Sequence, residues 1–304
     1  NGAVGVLLDT GADGATISDL RVTNAGAGAV RTNATISGVS LTGVEIDNSY
    51  TGIEIQNNAV VSNLTVDDVN VHNNTNGLRV STTGRVIGLD ITDSHFDNNT
   101  YGLVTYANSG STANQNDFTD ISITNTTFSG DTAKGIYAEK LDHATFDGIT
   151  VDGSGVAGSW AAGIDINLKY GSYSDIEIAN STIVNSGAGD AVNGVGLTIK
   201  ARDDGSSYGG AKAASLDNVS VHNNFIEDNQ AGIRLGKPGK NNATPINVTI
   251  TGNSIQGNVL AGLDNQTQAT PDAAGNWWGS ANGPDTPANT YAYPNLHTPM
   301  GEAV

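Results

Sequence analysis

Gly52-Ile53-Glu54-Ile55, Gly77-Leu78-Arg79-Val80, Gly102-Leu103-Val104-Thr105 and Gly135-Ile136-Tyr137-Ala138 repeat one phrase: a glycine, an aliphatic residue, a free position, then usually a second aliphatic. The phrase returns as Gly163-Ile164-Asp165-Ile166, Gly196-Leu197-Thr198-Ile199 and Gly232-Ile233-Arg234-Leu235, and fades at Gly262-Leu263-Asp264-Asn265. Successive glycines lie 25, 25, 33, 28, 33, 36 and 30 residues apart. A period in this range, filled with strand and turn residues, is the mark of a solenoid.

The local period says which solenoid. Each phrase alternates apolar and polar, as a strand with one buried face must. Further along each repeat comes a second alternating run, such as Val69-Asn70-Val71, Ile121-Ser122-Ile123, Ile149-Thr150-Val151 or Val219-Ser220-Val221. No stretch sustains apolar residues at helical spacing, which excludes repeats of helix pairs, and the constant-length Leu/Asn consensus of leucine-rich repeats is absent. What remains is an all-β chain, a parallel β-helix of about nine to ten coils in which each coil adds one strand to each of two or three parallel sheets.

Asparagine marks the turns after the second run: Asn73-Asn74, Asn98-Asn99, Asn125, Asn180, Asn223-Asn224 and Asn253. Asn tolerates the left-handed backbone of a tight turn, and its amide bonds neighbouring backbone or the same residue of the next coil. His72 and His222, each followed by two asparagines, are expected to share one repeat position.

The repeat crosses most of the 304 residues without a linker, so one domain is expected: the helix over residues 1 to 275, with a cap and tail over 276 to 304. There is no cysteine, so stability must come from stacking. A Cys-free, acidic chain rich in Asn, Thr and Gly fits a secreted or bacterial cell-surface protein. The first residues are already coil material, and an open coil end exposes strand edges, so the rest of a larger parent chain is an expected partner. No apolar run is long enough to insert in a membrane, and a formal charge of −18 argues against nucleic acid. Nine of the 13 Lys and Arg fall between Lys134 and Lys240, however.

The coils of residues 52 to 101 are compact. Later coils lengthen, mostly after the glycine strand (Ala107 to Asp117, Arg202 to Ser215, Gly236 to Pro245) or just before the next glycine (Gly153 to Ala162, Gly187 to Val195). Loops lengthened repeatedly at the edges of a rigid stack build cleft walls. The chain then ends in Gly275-Asn276-Trp277-Trp278-Gly279 and a Pro- and Tyr-containing tail. The paired Trp would cover the last coil's core; stacking on a sugar is the other use for them. This terminal run, with the repeat, resembles right-handed parallel β-helix repeat proteins of the pectate-lyase-like superfamily, many of them parts of bacterial surface proteins. The resemblance implies a fold and no particular activity.

Register turns the repeat into a map. With each glycine as zero, the +2 and +4 positions should point outward, and equal offsets should lie about 4.8 Å apart along the stack. The +2 column reads Glu54, Arg79, Val104, Tyr137, Asp165, Thr198, Arg234 and Asp264, and the +4 column reads Gln56, Ser81, Tyr106, Glu139, Asn167 and Lys200. At +6, Lys169 and Arg202 are neighbours. Tyr106, Tyr137, Asn167, Lys169 and Arg234 are thus candidates for binding a polysaccharide or cell-surface glycan: Tyr by stacking, the cations by pairing with carboxylate or sulfate.

Two chemistries suit the same patch. In lyases of the superfamily that the chain resembles, a cation neutralises a uronate carboxylate and a Lys or Arg takes the adjacent proton. In such a polysaccharide lyase or epimerase Lys200 or Arg202 would be the base here, helped by Tyr137 or Lys169. In a glycoside hydrolase, Glu139 and Asp165 would be the paired carboxylates. The purely structural alternative is a ladder of opposite charges on an exposed sheet, a rigid stalk. Asp203-Asp204-Gly205 could lend hard oxygen ligands to Ca²⁺ but lacks the spacing of a Ca²⁺ loop, so a plain turn is the expected reading, with neither metal nor cofactor.

Overall fold

A computed structural model describes residues 2 to 281 and 283. The chain winds as a solenoid of three parallel sheets, two of ten strands and one of nine. In each coil the chain passes from the first sheet (Thr51–Ile55 in one coil) to the second (Val60–Asp67) and then the third (Asn70–His72). Strand alternation points Ile53 and Ile55 inward, with Val61, Leu64, Val66 and Val71 from the other sheets, and one continuous apolar core fills the bore. Among the described residues no helix is long and apolar enough to cross a membrane.

The second alternating run proves to be two structures. Ile121-Ser122-Ile123 and Val219-Ser220-Val221 lie in the second sheet, whereas Val69-Asn70-Val71 and Ile149-Thr150-Val151 lead into the third. The two sheets meet at a short corner with one left-handed residue, Asp68, Asn125, Gly148 or Asn223 in four of the coils, where the buried positions step by three instead of two, as from Val66 to Val69. The shared position expected for the histidines fails for the same reason: His72 ends a third-sheet strand and His222 a second-sheet strand.

Left-handed asparagines end the third-sheet strands too, at Asn48, Asn73, Asn98 and Asn185. The next residue turns inward and accepts a hydrogen bond from the backbone N–H of the preceding coil. The result is an unbroken ladder from the N–H of Ala25 through Ser49, Asn74, Asn99, Asp131, Ser154, Ser186 and Asn229 to Asn258, with bonds of 2.8–3.3 Å. Each rung satisfies a buried backbone donor that a turn would otherwise leave unpaired.

One rung is a carboxyl group. Asp131 is fully buried; its Oδ1 accepts from Asn99, but its Oδ2 has no partner. Burial drives its pKa well above the usual carboxylate range. At other rungs an amide Nδ2 donates to a carbonyl one coil back, as Asn99 does to Val71, and register sets Phe96 in that place for residue 131. Asp131→Asn is therefore expected to stabilise the protein at neutral pH by about 1–2 kcal/mol, because it removes an orphaned acceptor. A raised folded pKa favours the native state only at low pH, and that contribution is lost as pH rises from about 4. The gain should accordingly shrink toward pH 4. Urea unfolding at pH 4 and pH 7 checks this, and an equal or unfavourable change at both would refute it.

The recurring glycine has a specific task. A Cβ on Gly77 would sit 2.3 Å from the carbonyl oxygen of Gly102 and 2.9 Å from the Phe96 ring. The strands close up here, and the glycine also breaks the alternation, so that offsets −1 and +2 both face outward. The glycine phrase thereby delivers two outward columns on the first sheet. At the far end Trp278 is buried against the core while Trp277 is half exposed, its Nε1–H donating to Gln256 Oε1 at 3.0 Å. Most of the expected tail lies outside the described residues.

Candidate functional site

Register on the first sheet follows the offset map: Tyr137 pairs with Asp165, Asp165 with Thr198, Thr198 with Arg234, and Asn167 with Lys200. Asp165 stands at the centre. Its Oδ2 pairs with Lys134 Nζ and its Oδ1 with Lys200 Nζ at 2.6 Å. Burial alone would raise its pKa, but the two ammonium groups overcome that and hold it at about 2. Lys200 is pulled the other way: burial lowers its pKa to about 8, Lys134 adds to the lowering, and Asp165 only partly restores it. Asp165 is 1% exposed and Lys200 5% exposed. The exposed charge ladder of the structural alternative is therefore not what forms here, because the lengthened loops of these coils bury the charges.

A second layer lies beside the first. Tyr137 donates its hydroxyl proton to Glu139 Oε1 at 2.7 Å and accepts from Asn167 Nδ2 at 3.1 Å. Lys169 pairs with the same Glu139 oxygen, and Oε2 accepts from the backbone N–H of Ala107. Burial and the neighbouring carboxylates push the Tyr137 phenol far above its ordinary pKa, which keeps it a neutral donor. Arg202 forks onto Asp204 at 2.7 and 2.9 Å and lies 4.3 Å from the centre of the Tyr208 ring.

These residues line a cleft of about 400 Å³. Its floor is Lys134, Tyr137, Asp165, Asn167 and Lys200; residues 157 to 160 form one wall, Arg202 and Lys237 the other, and Tyr101 flanks the floor. Of the sequence candidates, Tyr137, Asp165, Asn167, Lys200 and Arg202 face it. Glu139 and Lys169 sit in the layer beside it, and Tyr106 packs edge-on against Tyr137 at 6.4 Å. Arg234 is turned away, bonded to Asp264 at 2.7 Å and to the Asn193 carbonyl.

The paired-carboxylate chemistry does not fit this geometry. Asp165 is held ionised between two lysines, and both Glu139 oxygens are occupied, so neither carboxyl is placed to hand a proton to a leaving group. Asp203 accepts from Asn242 and Ala243, and Asp204 from Arg202, which spends the Asp-Asp-Gly turn on loop structure. Among the described residues no cluster of His, Asp and Glu suits a metal ion.

Several cleft residues lie outside the sequence map, Lys134, Tyr101, Trp160 and Lys237 among them. Lys134 and Tyr101 occupy the −1 column, visible once the glycine is understood to break the alternation. Trp160 and Lys237 come from loops that no register covers. Lys140 was also missed, for an instructive reason: it stands at +5, an inward offset. Its ammonium donates to the carbonyls of Ser81, Thr82 and Gly84 at 3.3, 3.3 and 2.6 Å, bracing the turn after the first-sheet strand two coils earlier, and burial lowers its pKa to about 8.

Sheet order, register and core thus define a right-handed parallel β-helix repeat protein with a walled, cationic cleft on its first sheet. In sequence, residues 1–122 match a family described as "right handed beta helix region". A solved structure, the A-module of a mannuronan C-5 epimerase from Azotobacter vinelandii, is similar at 14% identity over 86% of this chain and 89% of that one, with a TM-score of 0.24. A likeness at that level carries no argument about the site. No curated protein sequence matches the chain significantly.

Proposed function

We propose that this chain is a β-helix module of a secreted or cell-surface protein, and that its cleft binds an acidic polysaccharide. One observation carries the reading: a protein of net charge −18 gathers Lys134, Lys200, Arg202 and Lys237 around one cleft, whose lining holds a single carboxylate, Asp165, shared by two lysines. Even with Asp204 paired to Arg202, the cations outnumber the carboxylates. Such a local excess of positive charge in an acidic surface favours an anionic ligand. Tyr101, Tyr137 and Trp160 supply ring faces between the cations, which suits a chain of charged sugar rings better than a simple anion.

A second reading rests on Lys200. A buried amine with a pKa near 8 beside other cations can act as a general base at mildly alkaline pH. It would take the proton next to a uronate carboxylate. The electron pair left behind either expels the glycosidic oxygen, forming a C=C bond, or is reprotonated from the opposite face. Elimination would make the protein a lyase and reprotonation an epimerase.

Affinity electrophoresis against polyuronates, sulfated glycans and neutral glucans, with absorbance at 235 nm followed for elimination and deuterium uptake from heavy water at the uronate carbon followed for epimerisation, separates these readings. Retardation by acidic glycans alone, without new absorbance or deuterium uptake, is the expected result. New absorbance that Lys200→Ala abolishes would establish the lyase, deuterium uptake that it abolishes would establish the epimerase, and indifference to every acidic glycan would refute the cleft's proposed role.

A further inference from the structure

Trp160 is a large residue in an unusual place. Its φ is +57°, in the left-handed region that bulky side chains rarely adopt, and it lies in the loop just before a first-sheet strand. Such a conformation persists only where the surroundings fix it, and Asp190 of the next coil does so. Asp190 Oδ2 accepts from the Trp160 N–H at 2.8 Å and from Asn193 Nδ2 at 3.2 Å, while Oδ1 accepts from the N–H groups of Val192 and Asn193 at 3.1 and 3.0 Å. The two loops are joined again where the Gly189 N–H donates to the Gly155 carbonyl at 2.9 Å. There a Cβ on Gly189 would stand 2.3 Å from the Ala157 nitrogen, so the backbones are in direct contact.

The conformation aims the indole into the cleft. Its ring lies 5.9 Å from Lys200 Nζ and 5.3 Å from Lys237 Nζ, so Trp160 reaches from one wall to the cations of the floor and of the opposite wall. The backbone strain would be needless if the indole served only as packing, because any loop rotamer could bury it against the wall. A rigid aromatic face beside two ammonium groups matches the two parts of a uronate ring, an apolar C–H face and a carboxylate.

We propose that Trp160 is the sugar-stacking wall of the cleft, that Asp190 is the positioning residue presetting it, and that together they select uronate rings over simple anions. This rests on the acidic-polysaccharide reading above. The lysines supply attraction for any anion; the indole supplies discrimination.

Calorimetric titration of the whole chain with uronate tetramers (galacturonate, mannuronate, guluronate) and with inorganic sulfate tests the proposal. Trp160→Ala should weaken the tetramer that binds by about tenfold or more, as loss of a central aromatic contact does, while changing sulfate affinity less than about twofold. Trp160→Phe should retain most of the affinity. Asp190→Asn should lower tetramer affinity but leave sulfate unaffected, a split that general loosening of the loop would not give; circular dichroism verifies that each variant is folded. Unchanged tetramer affinity in folded Trp160→Ala would overturn the proposal and leave the polysaccharide reading intact. A wild-type protein that binds no uronate tetramer would overturn both.

Discussion

Asp165→Ala is expected to lower the stability of the protein by about 3–5 kcal/mol, the largest effect foreseen for any single side chain of the cleft. The carboxylate does not add a bridge to a stable sheet; it is what allows two ammonium groups to be buried side by side. Without it Lys134 and Lys200 lose their common counter-charge, and each must repel the other or give up its proton. The pH dependence has a definite sign. The folded pKa of about 2 lies below the unfolded carboxylate value, so Asp165 stabilises the fold above about pH 4, and its contribution is lost as pH falls toward 2. Asp165→Ala should lack that acid-labile component. A combined Asp165→Leu, Lys134→Met and Lys200→Met variant should recover most of the loss, since an apolar triplet of similar volume carries no desolvation cost. Urea midpoints at pH 3 and pH 7 decide the matter. A single variant within about 1 kcal/mol of wild type at neutral pH would mean that the charges are solvated as an ordinary surface pair is.

The fold was legible because the glycine phrase encodes it twice, in the spacing that makes a solenoid and in the alternation that makes strands. Where the second and third sheets meet at a left-handed residue, as at Asp68 and Asn125, the buried positions step by three instead of two (Val66 to Val69, Ile123 to Thr126), a one-residue slip too slight to mark a corner among short alternating runs. The offset map was faithful where strand pairing tests it, placing Tyr137 beside Asp165 and Asn167 beside Lys200. It failed at Lys134, because strict alternation assigns −1 to the core, and only the missing Cβ of the glycine reverses that. It could not reach Trp160 or Lys237, whose loops follow no repeat. Burial was the other hidden quantity. An outward offset does not make a residue exposed: Lys200, Asp165 and Arg234 point outward from the sheet and are nevertheless buried. That difference converts a modest surface ladder into a cleft with displaced pKa values.

Lys200→Met should weaken acidic-glycan binding by about thirtyfold or more, the usual consequence of removing one partner from a buried, charge-assisted contact. The pH profile of the wild-type protein says in which state the lysine acts. An ammonium that holds a uronate carboxylate is lost as pH passes its pKa of about 8, so affinity should fall above that value, by up to about tenfold per pH unit. A base works only as the free amine, so an elimination or epimerisation rate should rise with pH and level off above about 8. Opposite slopes from one titration thus separate the binding module from the enzyme. Lys237, whose pKa burial and Arg202 also lower, is the cation most able to imitate the binding profile. Lys237→Met should reduce affinity yet keep the decline near pH 8, while Lys200→Met should abolish the decline. Stability supplies a check that needs no ligand. Because the folded pKa of Lys200 lies below the unfolded lysine value, the unfolded chain holds more protons between about pH 8 and 10, so Lys200 makes stability rise with pH across that window. If Lys200→Met leaves both the binding profile and this slope unchanged, the amine is not buried and the cleft's cationic floor must be reassigned to Lys134.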